Sequence, residues 1–155
     1  MQKIKINKGG FTFIEAIIVM ALFLVLAGAG LGAYFSYYTQ SLARMDINNT
    51  LTLIKQTRFK ALKNPTTSNY GIHLDSVMKT ITSFKDIYNV TDQNNIVLKL
   101  EQLDITDLNL NPDIGITNEI LFKKQTGKTI NTGSFTIESN SIIYTFNINE
   151  QGVIN

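Results

Sequence analysis

A carboxylate at the edge of a long charge-free segment is the first feature of this sequence that could do chemistry. Glu15 directly precedes residues 16–43, which are 28 consecutive residues without a charged side chain. A lone charge beside an apolar helix is costly in lipid, so we expect Glu15 to have a cationic partner. Two small residues, Gly9 and Gly10, lie before the segment and are suited to proteolytic cleavage. Cleavage there would leave the apolar segment on the mature chain, unlike cleavage of a secretory signal.

The rest of the sequence offers little for catalysis. It contains one histidine, His73, and no cysteine, which excludes a thiol nucleophile, a disulfide and a cysteine metal site. Strand alternation places His73 opposite Ile72 and Leu74, so we expect a solvated imidazole. The serines have no nearby histidine and acid with which to form a triad. We therefore predict a protein that is not an enzyme and that needs no cofactor.

A weak candidate for a metal site is a run of alternating oxygen-bearing side chains: Asp107, Asn109, Asn111 and Asp113. Carboxylate and amide oxygens suit calcium. However, Pro112 stands where an EF-hand loop requires glycine. An ordinary Asn-rich turn is therefore the favoured interpretation, and no metal is expected.

The charge balance argues against binding of nucleic acid. The formal net charge of the 155 residues is +2. Three basic residues lie within the first ten positions: Lys3, Lys5 and Lys8. Without them, 11 basic side chains face 12 acidic ones, and no basic patch of the kind that binds phosphate backbones remains. The densest basic group, formed by Lys123, Lys124 and Lys128, is equally well explained as a solvated loop.

The apolar segment predicts a single membrane-spanning helix over residues 11–38. Residues 16–33 are all apolar or glycine and would span about 27 Å as a helix, close to the thickness of a bilayer core. Gly28, Gly30 and Gly32 interrupt this run. Two interpretations of them stay open: close packing between helices, or a deliberately weak segment that bends or stretches on assembly.

The helix is predicted to continue through residues 39–63 with one apolar face. The residues that form this face are Ile47, Leu51, Ile54, Ala61 and Leu62. Neither proline nor glycine occurs between Ala33 and Asn64, and Asn64-Pro65 ends the pattern. One helix from about Phe11 to Lys63 is the simplest interpretation.

After Thr66 the apolar period changes to two, which is typical of strands. We predict strands over residues 70–75, 77–84, 86–90, 96–100, 103–108, 119–123, 134–138 and 141–148. In the last of them, Ile142, Tyr144, Phe146 and Ile148 share one face. The predicted fold is therefore α+β, with the long N-terminal helix packed on an antiparallel β-sheet or small β-sandwich formed by residues 66–155.

The string KGGFTFIEAIIVMALFLVLAG, which begins at Lys8, resembles the class III signal of type IV prepilins and type II secretion pseudopilins. The resemblance extends over residues 8 to about 35. It implies that residues 1–10 are a leader, and that a membrane-bound prepilin peptidase cuts after Gly10. It also implies that the same enzyme methylates the new amino terminus at Phe11, and that Glu15 is the glutamate that serves assembly.

Given that cleavage, the role of Glu15 has a physical basis. The new terminal amine of Phe11 carries a positive charge four residues from the carboxylate. Each charge is costly alone in lipid and less so when paired. An ion pair between neighbouring subunits would set their axial stagger. The alternative is an ion pair between Glu15 and the amino terminus of the same chain.

Downstream segments resemble the GspH/FimT group of minor pilins and pseudopilins. The matching strings are YGIHLD from Tyr70, TSFKD from Thr82, ILFKKQTG from Ile120, and the ending that contains Gly152. The resemblance implies a β-sandwich on the helix and a place at or near a filament tip. Some relatives have a C-terminal disulfide loop, which a chain without cysteine cannot form. Many major pilins also have a membrane-helix proline, where this chain has only glycines.

The resemblance implies a structural subunit, a minor pilin or pseudopilin, of a type IV pilus, a type II secretion system or a competence pseudopilus. The expected partners are the prepilin peptidase/methyltransferase, other pilins, the inner-membrane assembly platform and lipid. The lysines of the leader predict a single-pass inner-membrane protein with its N-terminus in the cytoplasm and residues 66–155 outside. The resemblance implies that the processed subunit then moves into a filament. Two alternatives stay open: a tip subunit that binds a ligand such as DNA, and an enzyme or receptor tethered by an uncleaved anchor.

Overall fold

The computed structural model describes residues 12–63, 68–111, 118–139 and 142–154. The elements in these ranges are α1 (Phe13–Lys63), β1 (Tyr70–Asp75), β2 (Thr80–Lys85), β3 (Ile96–Lys99), β4 (Asp104–Asn111), β5 (Glu119–Phe122), β6 (Thr132–Ser139) and β7 (Ile142–Ile148). The chain divides into two compact units, Met1–Tyr38 and Thr39–Asn155. A long N-terminal helix followed by antiparallel strands confirms the predicted α+β fold.

In the first unit, α1 begins at Phe13, and Phe11, the predicted first residue, lies outside the described residues. Every helical residue from Phe13 to Tyr38 is exposed. Residues 16–33 of this helix are apolar or glycine on all sides, as expected for a helix that contacts lipid or other helices.

In the second unit, α1 buries a residue at nearly every third or fourth position. The buried residues are Ala43, Asp46, Ile47, Thr50, Leu53, Ile54, Thr57 and Ala61. Ile47, Ile54 and Ala61 were predicted, and Leu51 is half-buried. Leu62 is 39% exposed, so its predicted burial is wrong. It follows Ala61 by about 100° around the helix and therefore lies at the margin of the buried face.

The strands form two antiparallel sheets. The first has the order β3-β2-β1-β5 and the second the order β4-β6-β7. In β7, Phe146 and Ile148 are buried whereas Thr145 and Asn147 are exposed, which confirms the predicted alternation. A single hydrophobic core joins both sheets to the second half of α1. The three largest fully buried side chains in it are Phe122, Phe135 and Phe146.

Three strand predictions need correction. Residues 86–90 form bends and turns instead of a strand. The strand predicted to begin at Val77 begins at Thr80, because the Asp75 carboxylate accepts hydrogen bonds from the Val77 and Met78 amides (2.9 and 2.8 Å) and holds a turn. The strand predicted to end at Leu108 continues to Asn111 after a bulge between Thr106 and Asn109.

The first sheet has one face toward α1 and another covered by the chain that follows β2. Toward the helix, Oγ1 of Thr57 lies 2.8 Å from Oγ of Ser83. On the other face, Tyr88 lies edge-on to Phe84 with ring centroids 5.6 Å apart. This segment is closed by an Asx turn, in which the backbone and side-chain amides of Asn94 hold the pKa of Asp92 below its usual range.

Candidate functional site

The first turn of α1 shows what Glu15 does in the single chain. Oγ1 of Thr12 accepts a hydrogen bond from the Glu15 amide (3.4 Å), and the Thr12 carbonyl accepts one from Ala16 (3.2 Å). Thr12 is therefore the N-cap, and Glu15 occupies the third helical position, the spacing of a capping box. A carboxylate there also interacts favourably with the positive end of the helix dipole. Glu15 thus lies at a position where a carboxylate favours the start of a helix, and its side chain is exposed.

The helix surface that follows is suited to a bilayer. Among the described residues, α1 is the one helix long and apolar enough to cross a membrane, by length and composition. Glu15 and Tyr34 are separated by 19 residues, about 28 Å along a helix and close to the roughly 30 Å of a bilayer core. The Tyr34 ring stacks on Tyr38 with centroids 6.1 Å apart. Tyrosines at this distance are typical of a membrane–water interface.

The three helix glycines are not packed against anything within the described part of the chain. A Cβ added at Gly28, Gly30 or Gly32 would meet nothing within 4 Å there. The fold of the single chain therefore does not require glycine at these positions. Both interpretations of them, close packing between helices and a segment that bends on assembly, concern states with other subunits.

Several predicted processing residues lie outside the described residues. These are the leader lysines Lys3, Lys5 and Lys8, together with Gly10 and Phe11. Their roles in cleavage and methylation stay predictions. Glu15 is the predicted residue of this group whose surroundings the structure gives.

The prediction of a solvated His73 is wrong. Its side chain is only 12% exposed, and Nδ1 lies 3.2 Å from Oε1 of Glu119. The imidazole stacks on Tyr88 with ring centroids 3.7 Å apart. His73 does lie on the face of β1 opposite Ile72 and Leu74, as the strand alternation predicts. However, the segment after β2 folds back and covers that face. The contacts of the described residues join His73 to a carboxylate and an aromatic ring, which is a packing arrangement.

The structure describes three of the four weak calcium candidates. Asp107, Asn109 and Asn111 are exposed on β4, and Asp113 lies outside the described residues. Asp107 has a positive φ of 48° at the bulge. No group of three histidine, aspartate or glutamate side chains suited to a metal occurs in the described ranges.

Sequence reasoning missed three residues that fasten the structure. Thr12 was detectable, because Thr-x-x-Glu before an apolar run is the signature of a capping box. Asp46 is buried and accepts a hydrogen bond from the Glu101 amide (3.2 Å). Arg58 donates from Nε to the Gly127 carbonyl (3.2 Å) and from Nη2 to the Gln151 carbonyl (3.0 Å). The last two contacts join distant parts of the sequence, so no local pattern indicates them.

Comparison with known proteins adds one match, at the N-terminal segment. Residues 5–31 match the family described as Prokaryotic N-terminal methylation motif. No curated protein and no solved structure matches the chain. The matched segment contains the predicted cleavage position, Thr12, Glu15 and the first part of the exposed apolar helix.

The motif is the class III signal, which implies processing by prepilin peptidase and assembly with other pilins. Together with the apolar helix, it supports a membrane-anchored subunit of the type IV pilin-like class that is processed at its N-terminus.

Proposed function

We propose that this chain is a minor pilin or pseudopilin, a structural subunit of a type IV pilus, a type II secretion system or a competence pseudopilus. The observation that carries the proposal is the methylation motif at residues 5–31, which overlaps an exposed stretch of helix without charged side chains at residues 16–38. The globular unit Thr39–Asn155 has its own core. The exposed apolar helix is therefore left for lipid before assembly and for neighbouring helices after it.

The proposed processing follows from the residues around the cut. Prepilin peptidase cleaves after Gly10 and methylates Phe11. The leader lysines keep the N-terminus in the cytoplasm, and the β-rich unit then lies outside the inner membrane. The GspH/FimT-like assignment is supported by YGIHLD, which forms β1, and by two sheets that share one core with α1.

Processing can be tested with two neighbouring glycines. We expect the mature protein to begin at Phe11 and to be heavier by one methyl group. Gly10→Val should abolish cleavage, because a branched side chain then lies at the scissile bond, whereas Gly9→Val keeps the cut and serves as the matched control. Intact-mass spectrometry of membrane-extracted protein measures all three. A wild-type chain that keeps Met1 would contradict the proposal and favour the tethered receptor.

The assembly role of Glu15 can be separated from its capping role. Glutamine is accepted at the third position of a capping box but has no charge. We therefore expect Glu15→Gln to be processed and helical, but to be lost from filaments. Thr12→Ala removes the N-cap, which costs about 1 kcal/mol of helix stability, and leaves the charge.

The measurement is sheared-filament recovery beside intact-mass spectrometry of the membrane fraction. We expect Thr12→Ala to enter filaments more readily than Glu15→Gln. If Glu15→Gln were incorporated like the wild type, charge pairing would not set the subunit stagger. Equal losses in both variants would indicate that assembly depends on the start of the helix as strongly as on the charge of Glu15.

A further inference from the structure

The turn after β5 places two lysines opposite each other. The Lys123 amide donates to the Lys128 carbonyl (2.8 Å), next to an antiparallel bridge between Phe122 and Thr129. Residues directly opposite in an antiparallel pair have Cβ atoms about 5 Å apart on the same side, where like charges are destabilising. The pair of lysines is therefore a local concentration of positive charge that the fold alone does not require.

Both lysines line one cavity of about 370 Å³. Its lining also includes Asn111, Thr132 and Gln151, and the acidic residue among the described lining residues is Glu150. The ion pairs of the described residues are His73–Glu119 and Lys79–Asp104, so neither lysine of the cavity has a carboxylate within contact distance there. The cavity lining thus carries two ammonium groups and one carboxylate, a net positive charge, together with amide and hydroxyl groups.

The walls of this cavity are held by contacts of their own. Arg58 binds the carbonyl of Gly127, which lies in the turn between the two lysines, and the carbonyl of Gln151, which lines the cavity. Thr129 donates from its hydroxyl to the Asn149 carbonyl (2.7 Å) and from its amide to the Glu150 carbonyl (3.2 Å). A ligand would therefore enter a preformed site and would not have to order two loops, which reduces the free-energy cost of binding.

We propose that this cavity binds the oxyanion group, phosphate or carboxylate, of a small hydroxylated ligand such as a sugar acid. Lys123 and Lys128 would contact the anion as charge-assisted donors. Asn111 and Thr132 would meet hydroxyl groups. The volume lies within the range of small-molecule sites, at about 300–1,000 Å³. The polar lining disfavours an apolar ligand, and the site is independent of the N-terminal segment and of the proposed function.

The proposal can be tested on the full-length, isotope-labelled chain in detergent micelles. Amide shifts of residues 123–132 are followed by NMR during titration with inorganic phosphate, glucuronate and glucose. We expect phosphate and glucuronate to shift these amides with saturation, and glucose to leave them unchanged. Glucose binding as tightly as glucuronate would overturn the assignment of an anion site.

Matched variants test the two lysines. The double variant Lys123→Gln/Lys128→Gln should weaken glucuronate binding by about tenfold or more, the loss expected for charge-assisted contacts. The control Lys99→Gln/Lys124→Gln makes the same change in net charge at exposed residues outside the cavity lining and should bind like the wild type. If both double variants bound glucuronate equally weakly, the loss of affinity would depend only on net charge, and the proposal would be overturned.

A third variant gives a readout that does not depend on the ligand. Lys128→Glu places a carboxylate opposite Lys123 and removes the repulsion, so the melting temperature of the globular unit should rise while glucuronate binding is lost. If this variant bound glucuronate as well as the wild type, the cavity would not be an anion site.

Discussion

Two threonines on the buried face of α1 differ in whether their hydroxyl groups have hydrogen-bond partners. The Thr57 hydroxyl donates to the Leu53 carbonyl (2.7 Å) and lies 2.8 Å from the Ser83 hydroxyl. Thr50 is fully buried, and its Oγ1 has no hydrogen-bond partner among the described residues. A buried hydroxyl without a partner lowers stability, because it loses its water without compensation.

We therefore predict opposite effects of the same substitution. Thr50→Val should raise the free energy of unfolding by about 1 kcal/mol, because it replaces the hydroxyl by a methyl group of similar size. Thr57→Val should lower it by about 1 kcal/mol or more, since the Ser83 hydroxyl loses its contact. Urea unfolding of the globular unit, followed by the fluorescence of its tyrosines, gives both values. A loss of stability in Thr50→Val would show that its hydroxyl is satisfied.

At the scale of the element, β1 depends on a glycine over which an aromatic ring lies. A Cβ added at Gly71 would come within 2.3 Å of Cζ of Phe84 and 2.9 Å of a Leu121 methyl group. Phe84 is 2% exposed, so its ring has little room to move away. The missing side chain of Gly71 thus lets β2 and β5 pack across β1.

We predict that Gly71→Ala lowers the free energy of unfolding by about 1–3 kcal/mol, the usual range for overpacking a core. Gly28→Ala is the matched control, because its added Cβ meets nothing among the described residues and alanine raises helix stability by up to about 1 kcal/mol. Thermal unfolding monitored by circular dichroism distinguishes them. A Gly71→Ala protein as stable as the wild type would mean that the Phe84 ring moves aside without loss.

At the scale of the whole globular unit, Arg58 fastens the C-terminal segment to the turn after β5. Its guanidinium bridges the turn at Gly127 and the turn at Gln151. Gly152 has a positive φ of 71°, and a Cβ there would lie 2.2 Å from the Gly127 carbonyl oxygen. The two turns therefore approach so closely that a side chain would separate them.

We predict that Arg58→Met lowers the free energy of unfolding by about 1–3 kcal/mol, because both carbonyls lose a charged donor. Lys55→Met, at an exposed position of the same helix, removes the same charge and should change stability little. Amide hydrogen exchange locates the effect, and the Thr129 and Gly152 amides should lose protection first. Unchanged protection in Arg58→Met would indicate that the turns are held by the backbone contacts alone.

The sequence by itself determined the features that depend on neighbouring residues. The charge-free run before Arg44 predicts an exposed apolar helix, and Asn64-Pro65 predicts the end of the whole helix, which ends at Lys63. Thr12 and Glu15 are three residues apart, and the helix begins there. Ile142–Ile148 alternates because its two faces meet different surroundings. All of these patterns are local, so their physical consequences follow from spacing alone.

Only the tertiary structure decided what distant residues do to one another. Burial of His73 depends on Tyr88 returning over the sheet, and the strand predicted at residues 86–90 was wrong because that segment serves as this cover. The same holds for Lys123 and Lys128. Both are exposed, as expected for a solvated loop, and the hairpin also places them opposite each other, beside residues from β6 and from the segment after β7. Such contacts join residues that are far apart in the chain. No periodic pattern of residue types in the sequence indicates which distant residues will meet.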